Sequence, residues 1–108
     1  MPYTKTIVKE GDKKTYPKKG QKVQVNYVGK FLNGKTFDSS IEAGEPFEFN
    51  VGIGQVIRAW DEGVMTMSLG EKCILKADPD YAYGKAGCGS DIPPNATLLF
   101  EVDLLKLF

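Results

Sequence analysis

Apolar and polar residues alternate with a period of two along most of this 108-residue chain, and that alternation limits its fold more than any other feature. Val23, Val25 and Tyr27 interleave with Gln24, Asn26 and Val28; Phe47, Phe49 and Val51 with Glu48 and Asn50; Cys73, Leu75 and Ala77 with Lys72, Ile74 and Lys76. Successive side chains of a strand point to opposite faces, so each stretch predicts a half-buried strand. The segment 97–107 is apolar on both parities, through Leu98, Phe100, Val102 and Leu104 and through Leu99, Leu105 and Leu107. That predicts a central strand with both faces covered. A weaker strand is expected over 4–8. Asn33-Gly34 between apolar flanks predicts a tight hairpin in which both turn residues take φ > 0.

One segment departs from this rhythm. In Val56 to Val64, the residues Ile57, Trp60 and Val64 fall on one face of a short helix, with Gly54 before it and Gly63 near its end. The expectation is an α+β fold, an antiparallel sheet with one short α-helix laid across it. No internal repeat, low-complexity tract or linker divides the chain, so a single domain over 1–108 is expected.

Several chemistries are excluded at this level. The chain has no histidine, which removes the commonest general base and metal ligand and every Ser/His/Asp or Cys/His constellation. Cys73 and Cys88 are too few and too far apart for a zinc site or a disulfide framework, and they predict free thiols in a reducing compartment. Cys73, on a strand, is expected to be a small core residue. No stretch approaches the ~18 apolar residues of a membrane helix, and the start of the chain carries no apolar signal core. A cytoplasmic protein with no metal, no cofactor and no membrane contact is expected. Gly52-Ile53-Gly54 lacks the third glycine and the parallel context of a dinucleotide fingerprint, and Asn95-Ala96-Thr97 is an incidental glycosylation sequon.

The 14 basic and 14 acidic residues balance, but residues 1–35 carry nine lysines against Glu10 and Asp12. These lysines are expected on the solvated faces of strands. A nucleic-acid-binding module would need aromatic residues on the same exposed face, which the alternation does not provide, so no nucleic-acid partner is expected.

Two features point toward a binding site. The irregular stretch 78–95 between two strands exceeds the ~12–15 residues usual for a compact domain, and such loops are usually functional. A second, shorter loop spans Ser39 to Pro46. Six Phe, five Tyr and one Trp are more than a small core easily absorbs. Phe49 and Tyr81 are expected to fill the core, whereas Trp60 and Tyr83 are expected to line an apolar pocket. Most acids, including Glu10, Glu48 and Glu71, fall at strand-exterior or turn positions. Asp38 is the exception: it is either drawn to the rim of the core and satisfied by a tyrosine hydroxyl, or caps the turn through the Ser39 and Ser40 amides.

Four segments, Phe37-Asp38-Ser39-Ser40, Val56 to Val64, Pro79-Asp80-Tyr81-Ala82-Tyr83-Gly84 and Ile92 to Phe100, together resemble in order and spacing the FKBP family of peptidyl-prolyl cis–trans isomerases. The resemblance runs over essentially the whole chain. It implies a strongly bent antiparallel sheet of about five strands wrapped around the short helix, with a proline pocket between them. It implies Trp60 as the pocket floor, with Tyr27, Phe37, Phe47, Gln55, Val56, Ile57 and Phe100 around it and Ile92 closing the rim. Ile57 would offer its backbone N–H, Tyr83 its hydroxyl and Asp38 its carboxylate, and Asp38, Tyr83, Trp60 and Phe37 would act in catalysis. Implied partners are proline-containing peptides, the macrolides tacrolimus and rapamycin, and, through a bound drug, calcineurin or the target-of-rapamycin kinase.

The chain departs from the family pattern in three places. Ala59 stands where glycine is usual, and its methyl group is expected to favour helix and to tighten the approach of a ligand. Cys88 to Asp91 replace a segment that is commonly apolar or carries histidine, and the loop around Ile41 to Glu45 lacks a basic residue, so the calcineurin contact is weakened. Cys88, beside the pocket mouth, is either open to alkylation by an electrophilic ligand or an inert loop thiol. An alternative to the enzyme is a module that only holds a Leu-Pro-like or Phe-Pro-like segment of a partner.

Overall fold

The computed structural model describes residues 3–87 and 92–108. Among these, β1 (Tyr3–Lys9), β2 (Lys22–Phe31), β3 (Thr36–Ser39), β4 (Phe47–Asn50), β5 (Lys72–Ala77) and β6 (Leu98–Leu107) form one antiparallel sheet. Its order is β1-β5-β6-β2-β3, with β4 also on β2. One edge of β2 pairs with β6 from Val23 to Phe31, while its other edge is shared, residues 22–25 facing β4 and 28–30 facing β3. Six strands thus occupy five columns, against the expected five or so. Register shifts at Ile7/Lys9, Gln24/Val25 and Gly29/Lys30 add bends to the natural twist, so the sheet curves around what lies on its inner face.

That inner face carries the core. Val23 and Val25, then Cys73, Leu75 and Ala77, then Leu98, Phe100, Val102 and Leu104 are all at most 2% exposed. Helix α2 (Arg58–Gly63) rides on it with Ala59 and Trp60 buried, and a 3-10 turn, Val64–Thr66, follows. Gly63 makes the contact possible: a Cβ there would sit 2.8 Å from Leu75 Cδ2. Each large aliphatic side chain removed from water on this face contributes about 1.5–3 kcal/mol.

Five expectations need correction. The Asn33-Gly34 hairpin is not a two-residue turn with φ > 0 at both positions. Gly34 alone has φ of 89°, the Gly34 N–H donates to Phe31 O at 2.9 Å and the Phe31 N–H to Lys35 O at 2.9 Å. Leu32 and Asn33 therefore form an ordinary turn that the left-handed glycine closes, and Asn33 Oδ1 accepts the Lys35 N–H at 2.9 Å. Secondly, β6 is central in the sheet but covered on one face only, with Leu105 41% exposed, because among the described residues no second layer lies outside the sheet. Thirdly, the loop Ser39 to Pro46 contains one turn of helix, α1 (Ser40–Ala43). The Ser39 hydroxyl caps it by accepting the Glu42 N–H at 3.2 Å, and Gly44 ends it at φ of 83°.

Fourthly, Glu71 is not at the surface. It is 4% exposed, its Oε2 accepts from Lys5 Nζ at 2.8 Å and its Oε1 from the Ser68 N–H at 3.2 Å. Lastly, only four of the nine lysines of residues 1–35 lie on strands, Lys5 and Lys9 on β1 and Lys22 and Lys30 on β2. The remainder fall in the 10–21 connection and the hairpin loop.

Cys73 is fully buried, with its Sγ 3.6 Å from Met67 Sδ, as expected of a core residue. Burial pushes its thiol up from an ordinary 9.0 to about 12. The unfolded chain therefore loses this proton first as pH rises, so the stability associated with the protonated thiol is complete below pH 9 and falls as pH climbs toward 12. The slope is about 1.4 kcal/mol per pH unit. Urea midpoints between pH 8 and about pH 11 should fall more steeply for the wild type than for Cys73→Ala; parallel curves would refute this linkage. Cys88 and the other residues of 88–91 lie outside the described residues.

Candidate active site

The concave side of the sheet and helix α2 enclose a cavity of about 480 Å³. Its lining comes from nearly every element. β2 supplies Tyr27, β3 supplies Phe37 and Asp38, β4 supplies Phe47, and β6 supplies Phe100. The 51–57 loop supplies Gly54, Gln55, Val56 and Ile57, α2 supplies Trp60, and the segment after the 3-10 turn Pro79–Tyr81 supplies Tyr83. Ten of the eleven residues singled out from the sequence as binding residues therefore meet around one space. Ile92 does not line it; it is 4% exposed and packs within the core cluster.

Trp60 is the hub. Its ring lies 4.9 Å from Tyr27, 5.4 Å from Phe100, 5.8 Å from Phe49 and 6.1 Å from Phe47, mostly edge to face. Phe37 continues the wall, 5.8 Å from Phe100 at 82° and 4.9 Å from Phe31. Such pairs add about 0.5–1.5 kcal/mol each beyond area burial, so they hold one another in place as well as filling space. Gly29 explains how two wall rings reach the sheet: a Cβ there would lie 2.7 Å from Phe37 Cζ and 3.2 Å from Phe100 Cε1. Trp60 is 5% exposed and its Nε1 has no hydrogen-bond partner among the described residues. The cavity floor is an aromatic plane with little polar character.

The polar side chains of the lining are those of Tyr27, Asp38, Gln55 and Tyr83. The Tyr27 hydroxyl donates to Asp38 Oδ2 at 2.7 Å, and Asp38 Oδ1 accepts the Ser39 N–H at 2.9 Å. Of the two roles weighed for Asp38, the tyrosine partner is present, whereas of the two serine amides only that of Ser39 is bonded to it. Burial, then the Asp38 hydrogen bond, then its charge push the Tyr27 phenol above its ordinary 10.0, so Tyr27 stays a donor at neutral pH. The Tyr27 N–H donates to Ser40 Oγ at 2.8 Å, which ties α1 to the same pair. Tyr83 is 36% exposed at the lip. Tyr81 is half-buried, with the Arg58 guanidinium 4.2 Å over its ring and Tyr3 at 5.8 Å. The loop from 78 to 95 thus splits its two tyrosines, one anchoring and one facing the cavity.

Ile57 precedes α2 at ψ of 152°, and its carbonyl accepts the Trp60 and Asp61 N–H groups at 3.0 and 3.1 Å. The expected helix over 56–64 is shorter at its start because Ile57 is still extended. Ala59 is fully buried and is not a lining residue, so its methyl group enters the core and does not tighten the ligand's approach. Sequence reasoning missed Gly54, which lines the cavity at φ of 81°. It also missed Asp61, whose carboxylate binds the 51–57 loop; the signal available was an acid in the first turn of the helix that follows Gly52-Ile53-Gly54. Among the described residues no group of three His, Cys, Asp or Glu converges, so no residue set is assigned to a metal.

A family model described as FKBP-type peptidyl-prolyl cis-trans isomerase matches residues 13–105. The chain is 53% identical to "FK506-binding protein 1" of Yarrowia lipolytica over 107 residues, 99% of each chain. It is 54% identical to "Peptidyl-prolyl cis-trans isomerase FKBP1A" of Xenopus laevis over 93% of each chain. It is 49% identical to "Peptidyl-prolyl cis-trans isomerase" of Schizosaccharomyces pombe, over 99% of this chain and 96% of the relative.

Proposed function

The chain belongs to the FKBP-type peptidyl-prolyl cis–trans isomerase family, and from that premise we propose that the aromatic cavity is where it accelerates rotation about X–Pro bonds. The observation that carries this reading is a cavity of about 480 Å³ lined by aromatic rings around Trp60, with Tyr27, Asp38, Gln55 and Tyr83 as its polar side chains.

The chemistry follows from the amide. Rotation crosses a barrier of about 18–20 kcal/mol because resonance is lost as the C–N bond twists. The planar amide is charge-separated and the twisted one less so, so a water-free apolar pocket disfavours the planar ground state relative to the twisted state. Trp60 lies under the proline ring, and Phe37, Phe47, Val56 and Phe100 keep water from it. The Ile57 N–H and the Tyr83 hydroxyl hold carbonyl groups of the peptide in the twisted geometry. The Asp38 oxygens accept from the Tyr27 hydroxyl and the Ser39 N–H, so this carboxylate orients Tyr27 at the cavity wall, and rotation about the amide needs no proton from it.

A protease-coupled assay on a proline peptide tests the reading. The rate should rise linearly with protein concentration, and Tyr83→Phe should lower kcat/KM by roughly 2- to 10-fold, the worth of one hydrogen bond, with Asp38→Val, which releases the Tyr27 hydroxyl and the Ser39 N–H, lowering it at least as much. A rate flat in protein concentration would overturn catalysis and leave a peptide-binding module.

The same cavity is proposed to bind tacrolimus and rapamycin, supported by relatives named FK506-binding protein. Calorimetry should show saturable binding at micromolar drug; its absence would overturn the cavity assignment. A further contact of the drug-loaded protein with calcineurin or the target-of-rapamycin kinase is proposed at the rim formed by the exposed turn between Asp38 and Phe47, where Ile41 is 61% exposed, although the missing basic residue there counts against calcineurin. A drug-dependent pull-down should capture one of them, and no capture at saturating drug would remove this partnership. We also place the activity in one domain over 1–108, in the cytoplasm, which suits the free buried Cys73 thiol. Among the described residues no helix is long and apolar enough to cross a membrane.

A further inference from the structure

We propose that Asp61 is a positioning residue of the isomerase, its carboxylate holding the 51–57 loop in the conformation that presents Val56 and Ile57 to a bound proline. This rests on the cavity being the prolyl site. The loop contributes four consecutive lining residues, Gly54 to Ile57, yet it lies between β4 and α2 with no strand or helix of its own to fix it.

Asp61 supplies the missing support. Its Oδ1 accepts the Gly52 N–H at 3.0 Å and its Oδ2 the Gly54 N–H at 2.7 Å. Both glycines are left-handed, at φ of 83° and 81°, a conformation that residues with side chains rarely adopt. Two amides therefore converge on one carboxylate, in the charge-assisted class of hydrogen bonds that is roughly twice as strong as the neutral one. Asp61 is not a lining residue, so it acts through the loop. It directly follows Trp60, and both donate their N–H groups to Ile57 O. One turn of α2 thus supplies the cavity floor, receives the end of the facing loop and holds the middle of that loop.

Two further backbone ties hold the start of the loop, and a side-chain tie joins its Gln55 back to Asn50. The Gly20 N–H donates to Val51 O at 2.7 Å, the Val51 N–H to Gln21 O at 3.0 Å, and the Asn50 N–H to Gln55 Oε1 at 2.7 Å. Without the Asp61 carboxylate, Gly52 and Gly54 are freed to leave this conformation, and a ligand must first recover it. Apparent affinity then falls by the fraction of molecules that remain competent, while the bound complex still reacts. An acid in the first turn of α2 also favours the helix electrostatically, so the test must separate a helix effect from a loop effect.

Wild type, Asp61→Asn and Asp61→Ala are compared for KM and kcat on a proline peptide, for tacrolimus Kd by calorimetry, and for amide hydrogen exchange at Gly52 and Gly54. Asp61→Ala should raise KM and Kd about tenfold, as when the competent fraction falls to about a tenth, with kcat within about twofold. Gly52 and Gly54 should lose protection while β5 and β6 keep theirs. Asp61→Asn retains one acceptor oxygen and should fall between. A lowered Tm with KM and Kd within about twofold of wild type would mean support of the helix alone and would overturn the proposal. Should Asp61→Ala fail to fold, wild-type KM and Kd in Asp61→Asn would overturn it equally. A wild type without catalysis overturns the isomerase reading instead, and the loop inference is then read from Kd and exchange.

Discussion

Trp60→Ala is expected to lose isomerase activity by about 100-fold, the scale on which misplaced reacting groups cost rate. It should also lose about 3–5 kcal/mol of stability. The ring touches Tyr27, Phe47, Phe49 and Phe100, which come from three strands of the sheet. Removing it opens a void that four aromatic neighbours cannot fill together, because each is fixed by its own strand. The floor that disfavours the planar amide goes with it. Trp60→Phe is the informative partner: it keeps an aromatic floor and sacrifices no hydrogen bond, since Nε1 has none among the described residues. It should retain more activity and more stability than the alanine variant. Activity measured well below each variant's Tm, beside urea midpoints, separates the two effects. A folded Trp60→Ala with wild-type kcat/KM would sink the assignment of this cavity.

Lys5→Met should destabilise the protein by about 3–5 kcal/mol, although Lys5 stands on the edge strand. Its Nζ reaches Glu71 Oε2 at 2.8 Å and Thr66 O at 3.1 Å, and the two side chains are only 17% and 6% exposed. Removing the cation leaves the Glu71 carboxylate buried with the Ser68 N–H as its one donor among the described residues, and an unpaired charge out of water is costly. Replacing both partners, Lys5→Met with Glu71→Leu, should recover most of the loss, because the desolvation cost of the pair disappears with it. Lys13→Met, which breaks the exposed pair with Glu10, should leave the urea midpoint unchanged and serves as the control. If Lys5→Met and Lys13→Met unfold at the same urea concentration, the inner pair contributes nothing and β1 is held by its ladder on β5 alone.

The alternation of residues such as Val23, Val25 and Cys73, Leu75 was enough to identify β2, β4 and β5, an apolar run on both parities was enough to identify β6, and one broken rhythm was enough to place α2. Local order is legible because period two and period 3.6 are written within a few neighbouring residues. The reading weakened wherever an outcome depended on what lay across a gap. Leu99, Leu105 and Leu107 suggested cover for the outer face of β6, yet among the described residues nothing covers Leu105, which is 41% exposed. Glu71 looked like a turn residue until β1, sixty-six positions away in sequence, brought Lys5 to it. Asn33-Gly34 announced a hairpin correctly but not its length.

The candidate site divides along the same line. The chain by itself established an aromatic surplus, an Asp38 that needed an explanation, and an absence of histidine that rules out imidazole chemistry; with the family's motifs added, it named ten of the eleven cavity residues. Only the tertiary structure decided that Tyr27 and Asp38 pair at 2.7 Å, that Ile92 and the Ala59 methyl group belong to the core, and that Asp61 grips Gly52 and Gly54. The reason is physical: the type and facing of an element follow from the residues within it, whereas a cavity and its hydrogen bonds follow from surfaces that distant segments bring together.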